Sequence, residues 1–255
     1  MIGDVLEHSV LLRQISRVSH GFSTRLGGVS QGAFAGLNLA KNVGDGAEQV
    51  AENRRRFAEA LGPEIELAEV EQVHGARVWI VDQGGPAGVE ADAILTQAAG
   101  VAAAVRTADC APILLAAQDG SAVAAVHAGW RGATLDIPGA AVESLLAQGA
   151  RASQLVAAIG PTISLEAFEV GDEVISAAER ALGDPTQLRT MRGPSGRWHL
   201  DLRALVRSLL ERAGIPPAQI ELVGGCTVQD SERYFSHRRD QGRTGRHLSA
   251  IAIRG

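Results

Sequence analysis

The chain has 255 residues, with 24 Lys and Arg against 29 Asp and Glu (net charge -5), 45% apolar and 21% charged residues. That is an ordinary globular composition, long enough to bury a sizeable core. The acidic balance argues against nucleic acid or anionic membranes as partners, and two cysteines argue against a disulfide scaffold and point to a reducing compartment.

The first seven residues carry early acids and no basic region ahead of an apolar core, so no secretory signal is expected. No apolar stretch approaches the roughly 18 residues of a membrane span, and a cytoplasmic location is expected. Residues 23–32 are rich in turn formers and read as an ordered loop. Residues 47–61 predict a helix closed by Gly62-Pro63. Short apolar runs at 66–73, 78–81, 93–96, 101–105, 113–117 and 122–126 predict strands. Several lack polar alternation, as in Ala122-Val123-Ala124-Ala125-Val126, which marks strands buried on both faces. Helices are predicted at 133–148, kinked at Pro138, at 172–181 and at 200–213, and further strands at 155–159, 221–223 and 247–253. Strands and helices do not alternate regularly, which favours an α+β fold, and nothing repeats or divides the chain. One domain over residues 1–255 is expected.

The chemistry centres on Cys110. It stands in sequence between two histidines in glycine-marked turns: Gln72-Val73-His74-Gly75, Thr107-Ala108-Asp109-Cys110, and Val126-His127-Ala128-Gly129-Trp130-Arg131-Gly132. One Cys and two His can bind zinc and leave its fourth position open, the pattern of a catalytic site. The same atoms can form a Cys-His nucleophile pair. Spacing does not choose between them, and a lone thiol is more often simply buried. The His-x-Glu and Pro-Cys-x-x-Cys signature of zinc base deaminases is absent, as are the phosphate-binding and dinucleotide-binding glycine loops. Residues 236–247 hold four arginines against one acid. A solvated face is the ordinary reading of such a run, and phosphate or carboxylate recognition the sharper one. Arg25 is a further anion-binding candidate.

Taken in order, these segments resemble the YfiH/PgeF family, also called the multicopper polyphenol oxidase (laccase-like) family. The resemblance runs through Thr24-Arg25-Leu26-Gly27-Gly28-Val29-Ser30, Leu37-Asn38-Leu39, Asn53-Arg54, the His74 turn, Ala91-Asp92-Ala93, Thr107 to Pro112, the His127 segment, Gly160-Pro161, Phe168 to Gly171, Cys226-Thr227 and Phe235 to Arg239. It implies a mixed sandwich of β-sheets flanked by helices, related to cysteine-dependent toxin deamidases, with His74, Cys110 and His127 as zinc ligands. It also implies a purine nucleoside phosphorylase with adenosine deaminase activity, taking purine nucleosides and phosphate.

On that reading Cys110, His127 and Asp109 are the catalytic candidates, with Asp109 handling a proton. Arg25, Asn38, Gln72, Trp130, Arg131, Arg238 and Arg239 are the candidates for holding substrate or phosphate. Copper is an alternative occupant, and a Cys-His amidase acting on cell-wall precursors, a polyphenol oxidase and a binding module without turnover are the rival functions. Thr162 and Ser164 stand where many relatives carry Cys and Gly, which removes a soft ligand and weakens a multicopper reading. His237 stands where relatives often have Tyr.

Overall fold

The computed structural model describes residues 5–82 and 88–255. Its elements in chain order are β1 (Leu6–Glu7), α1 (Val10–Arg13), β2 (Val18–Ser23), α2 (Ala47–Leu61), β3 (Glu66–Ala68), β4 (Val78–Ile80), β5 (Ala93–Thr96), β6 (Val101–Thr107), β7 (Ala111–Ala117) and β8 (Val123–Ala128). There follow α3 (Trp130–Thr134), α4 (Ile137–Ala147), β9 (Leu155–Ile159), β10 (Glu169–Val170), α5 (Asp172–Leu182), β11 (Thr190–Arg192), β12 (Trp198–Leu200), α6 (Leu202–Arg212), β13 (Ile220–Leu222) and β14 (His247–Ile253). The strands form a five-stranded sheet, β1-β2-β14-β6-β3, a six-stranded sheet, β13-β9-β7-β8-β5-β4, and a small sheet, β10-β12-β11.

The two large sheets face each other, and alternation along each strand builds the layers. In β6, Ala103 and Val105 join Leu114 and Ala116 of β7 in the core between the sheets, while Ala102 and Ala104 turn outward onto Phe57 and Leu61 of α2. In β7, Ile113 and Leu115 turn the other way, onto α4, α5 and α6 through residues such as Leu145, Ile175 and Leu205. The order is helix, sheet, sheet, helices, so the central strands are apolar on both faces. This is the sandwich flanked by helices that was expected. Among the described residues no helix is long and apolar enough to cross a membrane. Residues 1–4, part of the expected signal-free start, lie outside the described residues.

Three departures have local causes. The strand predicted at 66–73 ends at Ala68, because side chains recruit the following residues elsewhere: Glu69 pairs with Arg54, and Gln72 bonds the backbone of Arg106. The helix predicted at 133–148 is two helices rather than one kinked at Pro138. Asp136 adopts a left-handed φ of 61° and caps α4 by accepting from Gly139 N, with Pro138 in the first turn where its missing N–H costs nothing. The strands β1, β2 and β10–β12 were not expected, since they are short or carry polar residues. In β2, His20 is buried because its Nε2 accepts the Ser9 N–H at 2.9 Å.

Candidate metal centre

Antiparallel register brings the centre together at one end of the sandwich. Ala93 pairs with Val126, and Ala111 with Ala128. One step beyond each pairing places Asp92 opposite His127 and Cys110 opposite Gly129. Those two ladders share β8, so three chain segments converge at its end. His74 comes from the turn before β4, with φ at 61°.

Asp92 organises the convergence. Its Oδ1 lies 2.7 Å from His127 Nδ1. The same carboxylate accepts the backbone N–H groups of Val73 (3.2 Å), His74 (3.0 Å) and Gly75 (2.6 Å). One buried group therefore orients the His127 ring and holds the left-handed turn that carries His74. The side chain of Gln72 ties that turn to the other sheet, donating to Arg106 O and accepting from Arg106 N, both at 2.8 Å.

The ligand atoms of His74, Cys110 and His127 all lie within 4.8 Å of one another, with Cys110 Sγ 3.9 Å from His74 Nε2. A tetrahedral zinc ion with one sulfur and two nitrogen donors needs them about 3.3–3.6 Å apart, so a modest contraction closes the set around an ion. The donor chemistry fits as well, being two borderline imidazoles and a soft thiolate. His127 is buried, Cys110 partly exposed and His74 exposed. Asp92 is the partner that the buried ring nitrogen of a metal-binding histidine ordinarily has.

Without an ion, electrostatics favours a thiolate at Cys110 beside a protonated His127, whose proton a metal would have to displace. Burial raises the Cys110 thiol, but His127 and His74 outweigh it and bring it down to about 6. Burial lowers His127, but Cys110 and Asp92 outweigh that and raise it to about 9. Burial likewise opposes ionisation of Asp92, and the bonds from His127 and Gly75 keep its pKa below the usual carboxylate value.

The cluster opens onto a cavity of about 520 Å³. Of the sequence-predicted residues, His74, Gln72, Asp109, Cys110, His127, Trp130, Arg131 and Arg238 line it. Arg25, Asn38 and Arg239 do not line it. Arg25 donates to the carbonyls of Ala35 and Ser231 and stacks 4.7 Å from the Phe235 ring centre. Asn38 is fully buried and spends its amide on Ala40, Asp45 and Arg246 N. Arg239 pairs with Asp240 and donates to the carbonyls of Thr227 and Tyr234. All three hold loops together.

Asp109 lines the cavity as a brace. Its Oδ1 accepts from Thr227 Oγ1 and its Oδ2 from Arg238 N, both at 2.6 Å. A proton-carrying role would require it to release one of these bonds. Asp92, Arg106 and His237 had no role in the sequence reading, and Arg246 had one only as a member of the arginine run at 236–247. The signal for Asp92 was an acid set inside an apolar run, which is rarely buried without a partner.

Residues 19–254 match the family model described as multi-copper polyphenol oxidoreductase laccase. The chain is 41% identical over 238 residues to a protein of Deinococcus radiodurans named purine nucleoside phosphorylase, covering 92% of this chain and 89% of that one. It is 36% identical over 241 residues to adenosine deaminase RL5, from an unknown prokaryotic organism, covering 90% of this chain and 92% of that one. The crystal structure of YlmD from Geobacillus stearothermophilus superposes with a TM-score of 0.90 at 33% identity, covering 99% of this chain and 100% of that one. With nearly its whole length matched in sequence and in fold, this chain belongs to the multi-copper polyphenol oxidoreductase laccase family, the YfiH group of proteins.

Proposed function

We propose that this protein is a zinc-dependent purine nucleoside phosphorylase, acting on adenosine, inosine and methylthioadenosine, with adenosine deaminase activity. The observation that carries the reading is the His74–Cys110–His127 triangle opening onto an arginine-lined cavity. The printed names of the relatives, purine nucleoside phosphorylase and adenosine deaminase, support it.

Three protein donors leave one position of a tetrahedral ion for water or substrate. Zinc, when bound, supplies a Lewis acid that polarises an oxygen and lowers the pKa of water. The chain's own residues do the rest. Asp92 orients the His127 ring by holding Nδ1, which leaves Nε2 to be the metal donor. Arg131 and Arg238 bring positive charge to the cavity wall, where phosphate must sit as the bond from ribose C1′ to the purine breaks. The bond electrons leave with the purine and a phosphate oxygen bonds to C1′. Trp130 offers a flat surface at the same wall, and the Arg131 guanidinium already lies 4.4 Å from its ring centre.

Incubation of the zinc-loaded protein with adenosine and phosphate, followed by product separation, tests this. Adenine with ribose 1-phosphate is expected from phosphorolysis and inosine from deamination. Finding none of the three overturns the reading.

A second reading has its own support. Cys110, His127 and Asp92 stand in the order nucleophile, base and orienting acid, with the thiol pulled down and the imidazole pushed up. That is the arrangement of a cysteine hydrolase, here an amidase acting on cell-wall precursors. Metal analysis separates the two. Full activity in metal-free protein, abolished by thiol alkylation, favours the amidase. Activity lost to a chelator and restored by zinc favours the phosphorylase. Copper would find the same donors. Among the described residues this is the single group of three His, Cys or acidic donors close enough to hold an ion.

A further inference from the structure

We propose that Arg246 and Arg238, with His237 beside Arg246 in the same loop, form an oxyanion subsite of the cavity that takes inorganic phosphate. The inference rests on the phosphorylase reading for the identity of its anion and sharpens it by saying which cations hold it.

The first observation is how these guanidinium groups are held. Arg246 Nη1 donates to the carbonyls of Thr244 (2.8 Å) and Gly245 (3.0 Å), and Nη2 lies 3.4 Å from His237 Nδ1. Arg238 Nη1 donates to the carbonyls of Ala167 (3.4 Å) and Glu169 (3.1 Å), and its guanidinium stands 5.3 Å from the Phe168 ring centre. Carbonyls and rings orient a guanidinium without cancelling its charge. Arg239, in the same loop, is neutralised by Asp240, and Arg243 is exposed outside the cavity. Among the described residues the one acid on the cavity wall is Asp109, whose oxygens are engaged by Thr227 and the Arg238 backbone. The cavity therefore presents cations and no free carboxylate.

The second observation is that the loop is built to hold them still. The Phe235 N–H donates to Nε2 of buried His247 at 2.8 Å, which clasps the two ends. Within the clasp, Asp240 N donates to Ser236 O and Gly242 N to His237 O. Arg238 N is pinned to Asp109, and Arg246 N to Asn38 Oδ1 at 2.9 Å. Gly245 has no room for a side chain, since a Cβ there would meet the Phe235 ring at 2.8 Å. Donors fixed in advance lose little entropy when an anion arrives.

The third is proximity to the reacting end of the cavity. Burial lowers the pKa of Arg246, and the charges of Asp109 and Cys110 oppose that. Arg246 and Arg238 line the same cavity as His74, Cys110 and His127, and guanidinium remains protonated regardless.

Calorimetric titration of inorganic phosphate into the zinc-loaded protein, without nucleoside, tests the subsite. The R246Q and R238Q variants should weaken phosphate on the order of tenfold or more. R246K should recover part of the loss, R243Q should bind as the wild type does, and thermal melts should confirm that each variant is folded. Phosphate affinity in R246Q within about twofold of wild type, an equal loss in R243Q, or no binding by the wild type overturns the subsite. Phosphate binding by the wild type without nucleoside turnover leaves the subsite standing and removes the phosphorylase reading.

Discussion

Asp92 and His127 face each other across two antiparallel strands, with Oδ1 and Nδ1 2.7 Å apart and both side chains buried. Because the same carboxylate also accepts three N–H groups from the His74 turn, two of the three candidate ligands share one anchor. An asparagine here would retain the shape but lose the charge, and would turn an NH₂ group toward backbone donors. D92N should reduce zinc affinity about ten- to a hundredfold, read by competition with a chromophoric chelator. Unchanged affinity would show that the anchor is irrelevant to the metal. D92A should also cost roughly 1–3 kcal/mol of stability, because buried donors lose their partner.

Gly129 faces Cys110 across the β7–β8 ladder, and its φ of -71° is ordinary, so the glycine is there for space. A Cβ would stand 2.9 Å from His74 Cδ2 and 3.0 Å from Cys110 Sγ. G129A should therefore push the ligands aside, lowering metal stoichiometry after dialysis while the melting temperature of the metal-free protein stays within a few degrees. Full zinc occupancy in G129A would contradict the packing argument.

The layers were legible because an unbroken apolar run such as residues 122–126 fits a strand covered on both sides, and the His74, Cys110 and His127 cluster because a thiol and two imidazoles in glycine-marked turns at strand ends stand out. What escaped was set by register and loop closure. Nothing local to Asp92 says that it lies opposite His127; the pairing of Ala93 with Val126 decides that. Nor does a loop with four arginines say which of them turn inward. The clasp between Phe235 and His247 directs Arg238 and Arg246 to the cavity and leaves Arg239 on carbonyls and Asp240. Arg25 drew attention as a cation in a glycine-rich loop and Asn38 through the Leu37-Asn38-Leu39 segment of the resemblance; in the structure both side chains bond the backbone of loops, whose polar groups need such partners.

Metal-free protein should carry a reactive thiolate at neutral pH, since Cys110 titrates near 6 while an ordinary thiol titrates near 9. Alkylation of Cys110 by iodoacetamide should reach its plateau rate by about pH 7, and zinc should protect it by occupying the sulfur. Peptide mapping would resolve Cys110 from Cys226. An alkylation rate that keeps climbing to pH 9 would remove the thiolate pair, and the cysteine-hydrolase alternative with it.

Acid should destabilise the fold well above the carboxylate range, because two buried histidines are held neutral as acceptors. Burial lowers His20 to about 3, with His8 and Arg13 adding to the effect, and His20 Nε2 accepts from Ser9 N. Burial lowers His247 to about 3, with Arg25 and Arg246 also acting against the proton. Above the unfolded value of 6.5 both states are neutral, so neither residue contributes to the pH dependence. Below it the unfolded chain takes up protons that the folded chain refuses, at up to about 1.4 kcal/mol per pH unit for each histidine. Between about 6.5 and 9 the Cys110–His127 pair adds little: the folded pair keeps the imidazole proton while the unfolded chain keeps the thiol proton. Urea midpoints should therefore fall from pH 6.5 to 5, before most carboxylates titrate. H247Q, whose side-chain oxygen can still accept from Phe235 N, should show a shallower fall. A midpoint flat across that window would mean that the buried imidazoles take up their protons without disturbing the fold.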